Sequence, residues 1–173
     1  MVFKPLLLIE ISGVRGVAFY HIIIVCTGNI CRSPMAEGLI KSMLPEAMKK
    51  RISVSSAGTH AIHGNQASDF AVQVMQTYGV DIAGHRARMI SKHMLKRADL
   101  ILVMEKNHLN YIRFMSFFSM KKVHRISEFD KSCEPYDLPD PIGGDIEQYR
   151  ASAHLLRTCL KGVYEYLEET LQI

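Results

Sequence analysis

The spacing of hydrophobic positions changes along this chain, and each change predicts a new element. His21-Ile22-Ile23-Ile24-Val25 is a β-branched run without polar alternation, the pattern of a strand buried on both faces in a parallel sheet. Beyond Thr27-Gly28-Asn29-Ile30 the period lengthens. Ser33 stands as a cap, Pro34 in the first turn and Glu37 soon after, and Met35, Leu39, Ile40, Met43 and Leu44 continue at helical spacing. Ile52-Ser53-Val54-Ser55 predicts a second strand, and Ala67 to Tyr78 a helix stopped by Gly79. Ala98 to Met104 predicts a third strand, Lys106 to Phe118 a helix, and Lys122 to Arg125 a fourth strand. After a loop from Glu134 to Gly144, a final helix is expected over Ile146 to Leu171. Strands alternating with helices predict a three-layer α/β/α fold around a central four-stranded parallel sheet.

No repeat or linker divides the chain, so one domain is expected over residues 20–173, with residues 1–19 as an N-terminal extension. In that extension Lys4 precedes the apolar run Leu6-Leu7-Leu8-Ile9, which Glu10 interrupts. The run is too short for a membrane span and makes a poor signal peptide. Composition adds little: at 173 residues, 48% hydrophobic and 22% charged, the chain is globular in character. A net charge of +4 suits an anionic substrate but is far from a nucleic-acid footprint. The short clusters Lys49-Lys50-Arg51 and Lys121-Lys122 are expected to be solvated surface. Cys26, Cys31, Cys133 and Cys159 are too few and too irregular for a secreted disulfide scaffold. A cytoplasmic monomer without nucleic-acid or membrane partners is therefore expected.

The segment from Cys26 to Pro34 joins the first strand to the first helix, at the strand end where open parallel sheets bind ligands. A loop running into a helix N-terminus aims several N–H groups at one point and favours an anion. Arg32 adds a planar fork matched to phosphate oxygens. A thiol in such a field is expected to ionise readily, which makes Cys26 a candidate nucleophile for phosphoryl transfer. The ATP-type phosphate loop is excluded, because G-x-x-x-x-G-K-[ST] is absent and the loop has no lysine.

Cys26-Thr-Gly-Asn-Ile-Cys-Arg-Ser-Pro-Met-Ala-Glu37 closely resembles the signature of low-molecular-weight protein-tyrosine phosphatases. The resemblance continues through Ser55 to His60, Gly84 to Arg88, Ala98 to Leu102 and Asp140-Pro141, covering residues 20 to 170. It implies a hydrolase in which Cys26 attacks phosphorus, Arg32 binds phosphate, and Thr27, Gly28, Asn29, Ile30 and Cys31 complete the phosphate loop. No metal and no organic cofactor are implied. The general acid falls on the aspartate of Asp-Pro, hence Asp140, although on the residues alone a turn carboxylate is the plainer reading. Asp137 is the alternative donor, and Asp145 is read as the cap of the final helix.

The resemblance also implies that Asn29, Ser56 and His85 hold the loop in shape, with Ser33 both capping the helix and bonding the thiolate. Cys31 is read either as a reversible disulfide partner of Cys26 under oxidation or as a core cysteine at the helix entry. Cys133 and Cys159 are read as structural. His60 and His63 lack the further ligands a metal site needs.

After Thr59 the chain reads His60-Ala61-Ile62-His63-Gly64-Asn65, without the aromatic that some relatives place there, and Ile142 follows Asp-Pro where a tyrosine is common. The stretch resembles the bacterial branch acting on autophosphorylated tyrosine kinases, which implies a phosphotyrosine protein substrate and a shallower, aliphatic pocket. The protein-arginine-phosphatase branch is similar in Thr27, Met35-Ala36-Glu37 and Asp140-Pro141-x-Gly-Gly, but has threonine in place of Ile30. An aliphatic group there brings no hydroxyl to a phosphoguanidine, so phosphotyrosine is favoured. Arsenate reduction on the same fold needs relay cysteines, and residues 99 to 110 contain none. A non-catalytic phosphopeptide-binding module would lack the nucleophile or the acid.

Overall fold

The run predicted after His21 forms the strand Tyr20–Cys26 (β1), and its side chains divide by parity. Ile22, Ile24 and Cys26 enter one core cluster, while Ile23 and Val25 enter another on the opposite face. This computed structural model describes residues 10–11, 14–15, 19–130, 132 and 136–172. The second strand is Ile52–Gly58 (β2), the third Leu100–Val103 (β3) and the fourth Val123–Arg125 (β4). They pair in the order β2-β1-β3-β4, all parallel, with Ile22 opposite Val54 and Leu100. Burial on both sides explains why β1 and β3 read as continuous apolar runs.

The helices are Arg32–Met43 (α1), Glu46–Lys49 (α2), Asp69–Thr77 (α3), Lys92–Arg97 (α4), Lys106–Met115 (α5) and Ile146–Leu171 (α6). Leu39 and Ile40 of α1, Val74 and Met75 of α3, and Leu156 and Leu160 of α6 close over the Ile22–Ile24 face. Leu95 of α4 and Ile112 of α5 close over the Ile23–Val25 face. The architecture is the expected three-layer α/β/α sandwich. Each fully buried Leu or Ile contributes about 1.5–3 kcal/mol.

The final helix has the expected limits, and Asp145 caps it. Its carboxylate accepts from Glu147 N at 3.0 Å and Gln148 N at 3.1 Å, while the Gln148 side chain accepts from Asp145 N at 2.9 Å. Such a reciprocal box contributes about 1 kcal/mol. Other expectations need correction. The α1 helix begins at Arg32 with Cys31 in the cap position and no side-chain cap, so Ser33 does not cap it; the Ser33 hydroxyl is used in the loop instead. The α5 helix stops at Met115, and Phe117–Lys122 continues as a 3-10 helix. α2 and α4 were not foreseen, although Ser91 caps α4 by accepting from Met94 N at 3.2 Å. Asp99 stays outside β3 because its carboxylate accepts from His21 N. The proposed extension over 1–19 lies outside the described residues, except for Phe19 and an antiparallel pair of two-residue strands, Glu10–Ile11 and Val14–Arg15. Cys133 and the start of the loop after it also lie outside them.

Candidate active site

At the carboxyl end of β1 the chain turns through residues 27–31 and enters α1 at Arg32. The end of β2 grips this turn, with Thr59 N donating to Cys26 O and His60 N to Thr27 O, both at 2.9 Å. Gly58 permits the contact, since a Cβ there would stand 2.4 Å from Thr27 O and 3.0 Å from Asn29 N. Within the turn, Asn29 N donates to Cys26 Sγ at 3.3 Å, and Ser33 Oγ lies 3.0 Å from the same sulfur.

Asn29 is the hub of the loop. It has φ 55°, a left-handed conformation that asparagine tolerates better than most residues. Its Nδ2 donates to Ser33 Oγ at 2.8 Å and Ser56 Oγ at 2.9 Å. Its Oδ1 accepts from Arg88 N at 2.9 Å, and its carbonyl accepts from His85 Nε2 at 2.7 Å. Asn29, Ser33, Ser56 and His85 therefore come together. Two further members were missed by the sequence reading: Glu37, which accepts from Ser56 Oγ at 2.5 Å, and Arg88, whose Nε donates to Ser56 O at 2.9 Å. Glu37 was noticed only as a helix-entry residue, and Arg88 only within a longer stretch of resemblance.

Arg32 is buried, with 1% of its side chain exposed. Its guanidinium donates to the Glu105 carboxylate, to the Asp140 carboxylate and, at 2.8 Å, to Leu138 O. Its Nε–H is buried with no partner among the described residues, a donor available to an anion. Asp140 thus comes from the far end of the chain to the loop arginine, and its second oxygen accepts from Ile142 N at 3.3 Å. Asp137, the alternative donor, is occupied elsewhere: it accepts from Lys106 N at 2.9 Å, in the first turn of α5. Glu105 carried no motif to single it out. Its place just beyond β3 is the only signal that could have done so.

Thr27 Oγ1 lies 2.9 Å from Nε2 of His108, a buried histidine that the sequence reading also passed over. Burial pushes its pKa below the ordinary 6.5; Arg32 lowers it further, and Glu105, Asp140 and Asp137 oppose the shift. His108 therefore folds in its neutral form more readily than it unfolds. A histidine with a depressed folded pKa contributes stability in full above its unfolded value and loses it as pH falls from there through the folded value. Denaturant midpoints are accordingly expected to decline below pH 6.5, and His108→Gln to flatten that decline. Identical pH profiles for the two proteins would refute this role.

Cys31 is buried with its Sγ 3.3 Å from both Ser68 Oγ and Tyr149 Oη. Burial pushes its thiol up, so it stays protonated over the ordinary pH range, and Tyr149 is pushed up to about 12, chiefly by burial. Among the described residues no cluster of three or more His, Cys, Asp or Glu side chains is arranged to hold a metal. Ile62, two residues after His60, and Ile142, two after Asp140, are exposed. An aromatic nonetheless arrives from another element: the Tyr111 ring of α5 lies 5.4 Å from that of His60, beside the loop.

Residues 21–173 match the family described as low molecular weight phosphotyrosine protein phosphatase. The chain is 40% identical over 138 residues, 80% of its own length and 90% of the relative's, to a putative low molecular weight protein-tyrosine-phosphatase of Klebsiella pneumoniae. It is 35% identical over 150 residues, 86% of its length and 97% of the relative's, to a protein-arginine-phosphatase of Geobacillus stearothermophilus. Its fold is similar to the crystal structure of a low molecular weight protein tyrosine phosphatase from T. tengcongensis. That likeness has a TM-score of 0.78 at 37% identity, covering 86% of this chain and 99% of the other.

Proposed function

Because the chain belongs to the low molecular weight phosphotyrosine protein phosphatase family, we propose that it hydrolyses phosphotyrosine in proteins through a phosphocysteine formed on Cys26. The observation that carries this reading is the convergence at one strand end of three groups: the Cys26 sulfur, the buried Arg32 guanidinium and, on that guanidinium, Asp140. In the proposed sequence the Cys26 thiolate attacks phosphorus in line. Arg32 and the amides of residues 27–31 hold the equatorial oxygens. The bond to the tyrosyl oxygen breaks as Asp140, protonated, gives that oxygen its proton. Water then attacks the phosphocysteine, Asp140 takes the proton back, and inorganic phosphate leaves with the thiolate restored. An oxyanion in the loop competes with Asp140 for Arg32, which frees the carboxyl group to serve the leaving oxygen.

Asn29, Ser33, Ser56 and His85 act by positioning the loop rather than by chemistry. The Tyr111 ring, tilted at 59° to that of His60, supplies an aromatic contact for a phenyl ring near the loop, and the exposed Ile142 an aliphatic one. The stretch after Thr59 supports an autophosphorylated tyrosine kinase as the substrate protein. A second reading, protein-arginine phosphatase, is supported by the similarity to the Geobacillus enzyme. Ile30 separates the two, since its side chain offers no hydrogen bond to a guanidino group. In excess EDTA, phosphate release from a phosphotyrosyl peptide is expected to exceed that from the matching phosphoarginyl peptide by at least about tenfold in kcat/KM. The reverse preference would reassign the substrate, and absence of turnover on both would remove the phosphatase reading.

A further inference from the structure

The chain also carries a surface that the proposed reaction does not use, on the opposite edge of the sheet. Because all four strands are parallel, their amino ends face away from Cys26. Between α5 and β4 the chain runs Arg113-Phe-Met-Ser-Phe-Phe-Ser-Met-Lys-Lys122 along that edge. Phe114, Phe117 and Phe118 are 92%, 72% and 91% exposed. The local fold turns them outward: Met115 and Met120 pack against the Ile23–Val25 cluster and Ser119 is buried. The turn between them is closed by Ser116 N donating to Ile112 O at 2.8 Å, with Ser116 Oγ 2.8 Å from Ser119 Oγ. At these exposures Phe114 and Phe118 line no groove; they project.

Charge gathers around the same edge. Lys122 Nζ donates to Ala98 O and, at 3.1 Å, to Lys96 O, which ties the end of the 3-10 helix to the end of α4. Lys96 and Arg97 are exposed beside that junction, Lys92 is exposed at the start of α4, and Arg113 and Lys121 are exposed too; none of these five forms an ion pair with a described residue. Residues 82–127 hold ten Lys and Arg against two acids, Asp99 and Glu105, although the whole chain is only +4. Asp99 accepts from His21 N, and Glu105 is at the opposite edge on Arg32. Asp99 remains an acid at this edge, near Lys122, and Arg88 and Lys106 of the same stretch lie at the Cys26 end, so the excess at the edge is smaller than the count but still positive.

From these observations we infer that this edge docks on an anionic lipid surface, with Phe114, Phe117 and Phe118 entering the headgroup region and Lys92, Lys96, Arg97, Arg113 and Lys121 meeting lipid phosphates. Protruding aromatic rings among cations that outnumber the acid beside them, Asp99, are the features of interfacial binding. A protein pocket would call for complementary relief, whereas these rings project, Phe117 and Phe118 meeting edge to face with centroids 6.5 Å apart. Charge supplies the occupant: only an anionic surface matches an edge with this many unanswered cations. The sequence reading expected no membrane partner because it weighed spans and short basic clusters separately. In the structure Lys122 ties the end of α4, with Lys96 and Arg97, to the end of the 3-10 helix that carries Phe117 and Phe118. Docked this way, the Cys26 loop faces away from the bilayer.

Sedimentation with vesicles tests the inference. Wild type is expected to pellet with phosphatidylcholine vesicles containing about 30% phosphatidylglycerol, to do so less as salt rises, and not to pellet with phosphatidylcholine alone. Phe114→Ser/Phe118→Ser and Arg97→Glu/Lys121→Glu are each expected to weaken binding at least about tenfold, with hydrolysis of soluble p-nitrophenyl phosphate unchanged, which also reports that they fold. No binding of wild type, equal binding to neutral vesicles, or full binding by both variants would overturn the inference. A lipid-free dimer that the phenylalanine variant dissolves would overturn it too, in favour of a second copy of the chain as occupant.

Discussion

Cys26→Ser is expected to abolish turnover of aryl phosphates, by at least about 10⁴-fold, while oxyanion binding persists. The two properties separate because they rest on different atoms. Binding draws on the loop amides, on Arg32 and on its unpartnered Nε–H, none of which the substitution removes. Chemistry needs a sulfur that can ionise beside them, and a serine hydroxyl is a far weaker nucleophile near neutral pH. The loop should survive the exchange, because Asn29 keeps its bonds to Ser33, Ser56, Arg88 and His85. Hydrolysis of p-nitrophenyl phosphate in EDTA measures the first property, and titration with inorganic phosphate followed by calorimetry the second. Appreciable turnover by the serine variant would remove Cys26 from the role of nucleophile. Loss of phosphate binding together with turnover would mean that the loop itself had collapsed.

Asp140→Asn is expected to slow the reaction by about 10²–10⁴-fold when the leaving group is poor. A phenolate as basic as tyrosine's needs a proton as it departs, whereas p-nitrophenolate needs far less help, so the loss should shrink along a series of increasingly acidic phenols. Asparagine still accepts a hydrogen bond from Arg32, so the guanidinium is not left wholly bare. Asp137→Asn is the matched control. Asp137 serves the first turn of α5 through Lys106 N and lies 3.5 Å from Arg125 Nη1, so its loss should lower stability modestly with little dependence on the leaving group. If Asp140→Asn were as fast as wild type on phosphotyrosine, or if Asp137→Asn showed the steeper dependence, the acid would have been assigned to the wrong residue.

Much of the fold was legible because local and global signals agree. The unbroken β-branched run of β1 suited a strand covered on both faces, and Asp145 marked the start of α6. The candidate phosphate loop was legible for a similar reason: the proposed nucleophile, the arginine and the helix entry all fall within seven residues of sequence, from Cys26 to Arg32. What stayed hidden is what the fold brings in from elsewhere. Glu105 meets Arg32 across 73 positions and His108 meets Thr27 across 81. Tyr111 reaches His60 from a different helix. Ser33 misled in a different way. Its residue type and place suit a cap, but a hydroxyl makes few hydrogen bonds, and here it lies against the sulfur and accepts from Asn29 Nδ2. The exposed phenylalanines were equally opaque, since helical periodicity fails once α5 gives way to a 3-10 turn.

The Asn29 hub has a consequence for how the enzyme ages. Its partners are drawn from β2, α1 and the segment before α4, so the loop has no local way to open. Opening it means parting elements that belong to the core, and the free energy of that event approaches that of unfolding the whole domain. Such a site is not worn down piecemeal. Under heat or denaturant it stays intact in each molecule until that molecule unfolds, so a partly inactivated preparation is a mixture of fully competent and fully lost copies rather than a population of weakened ones.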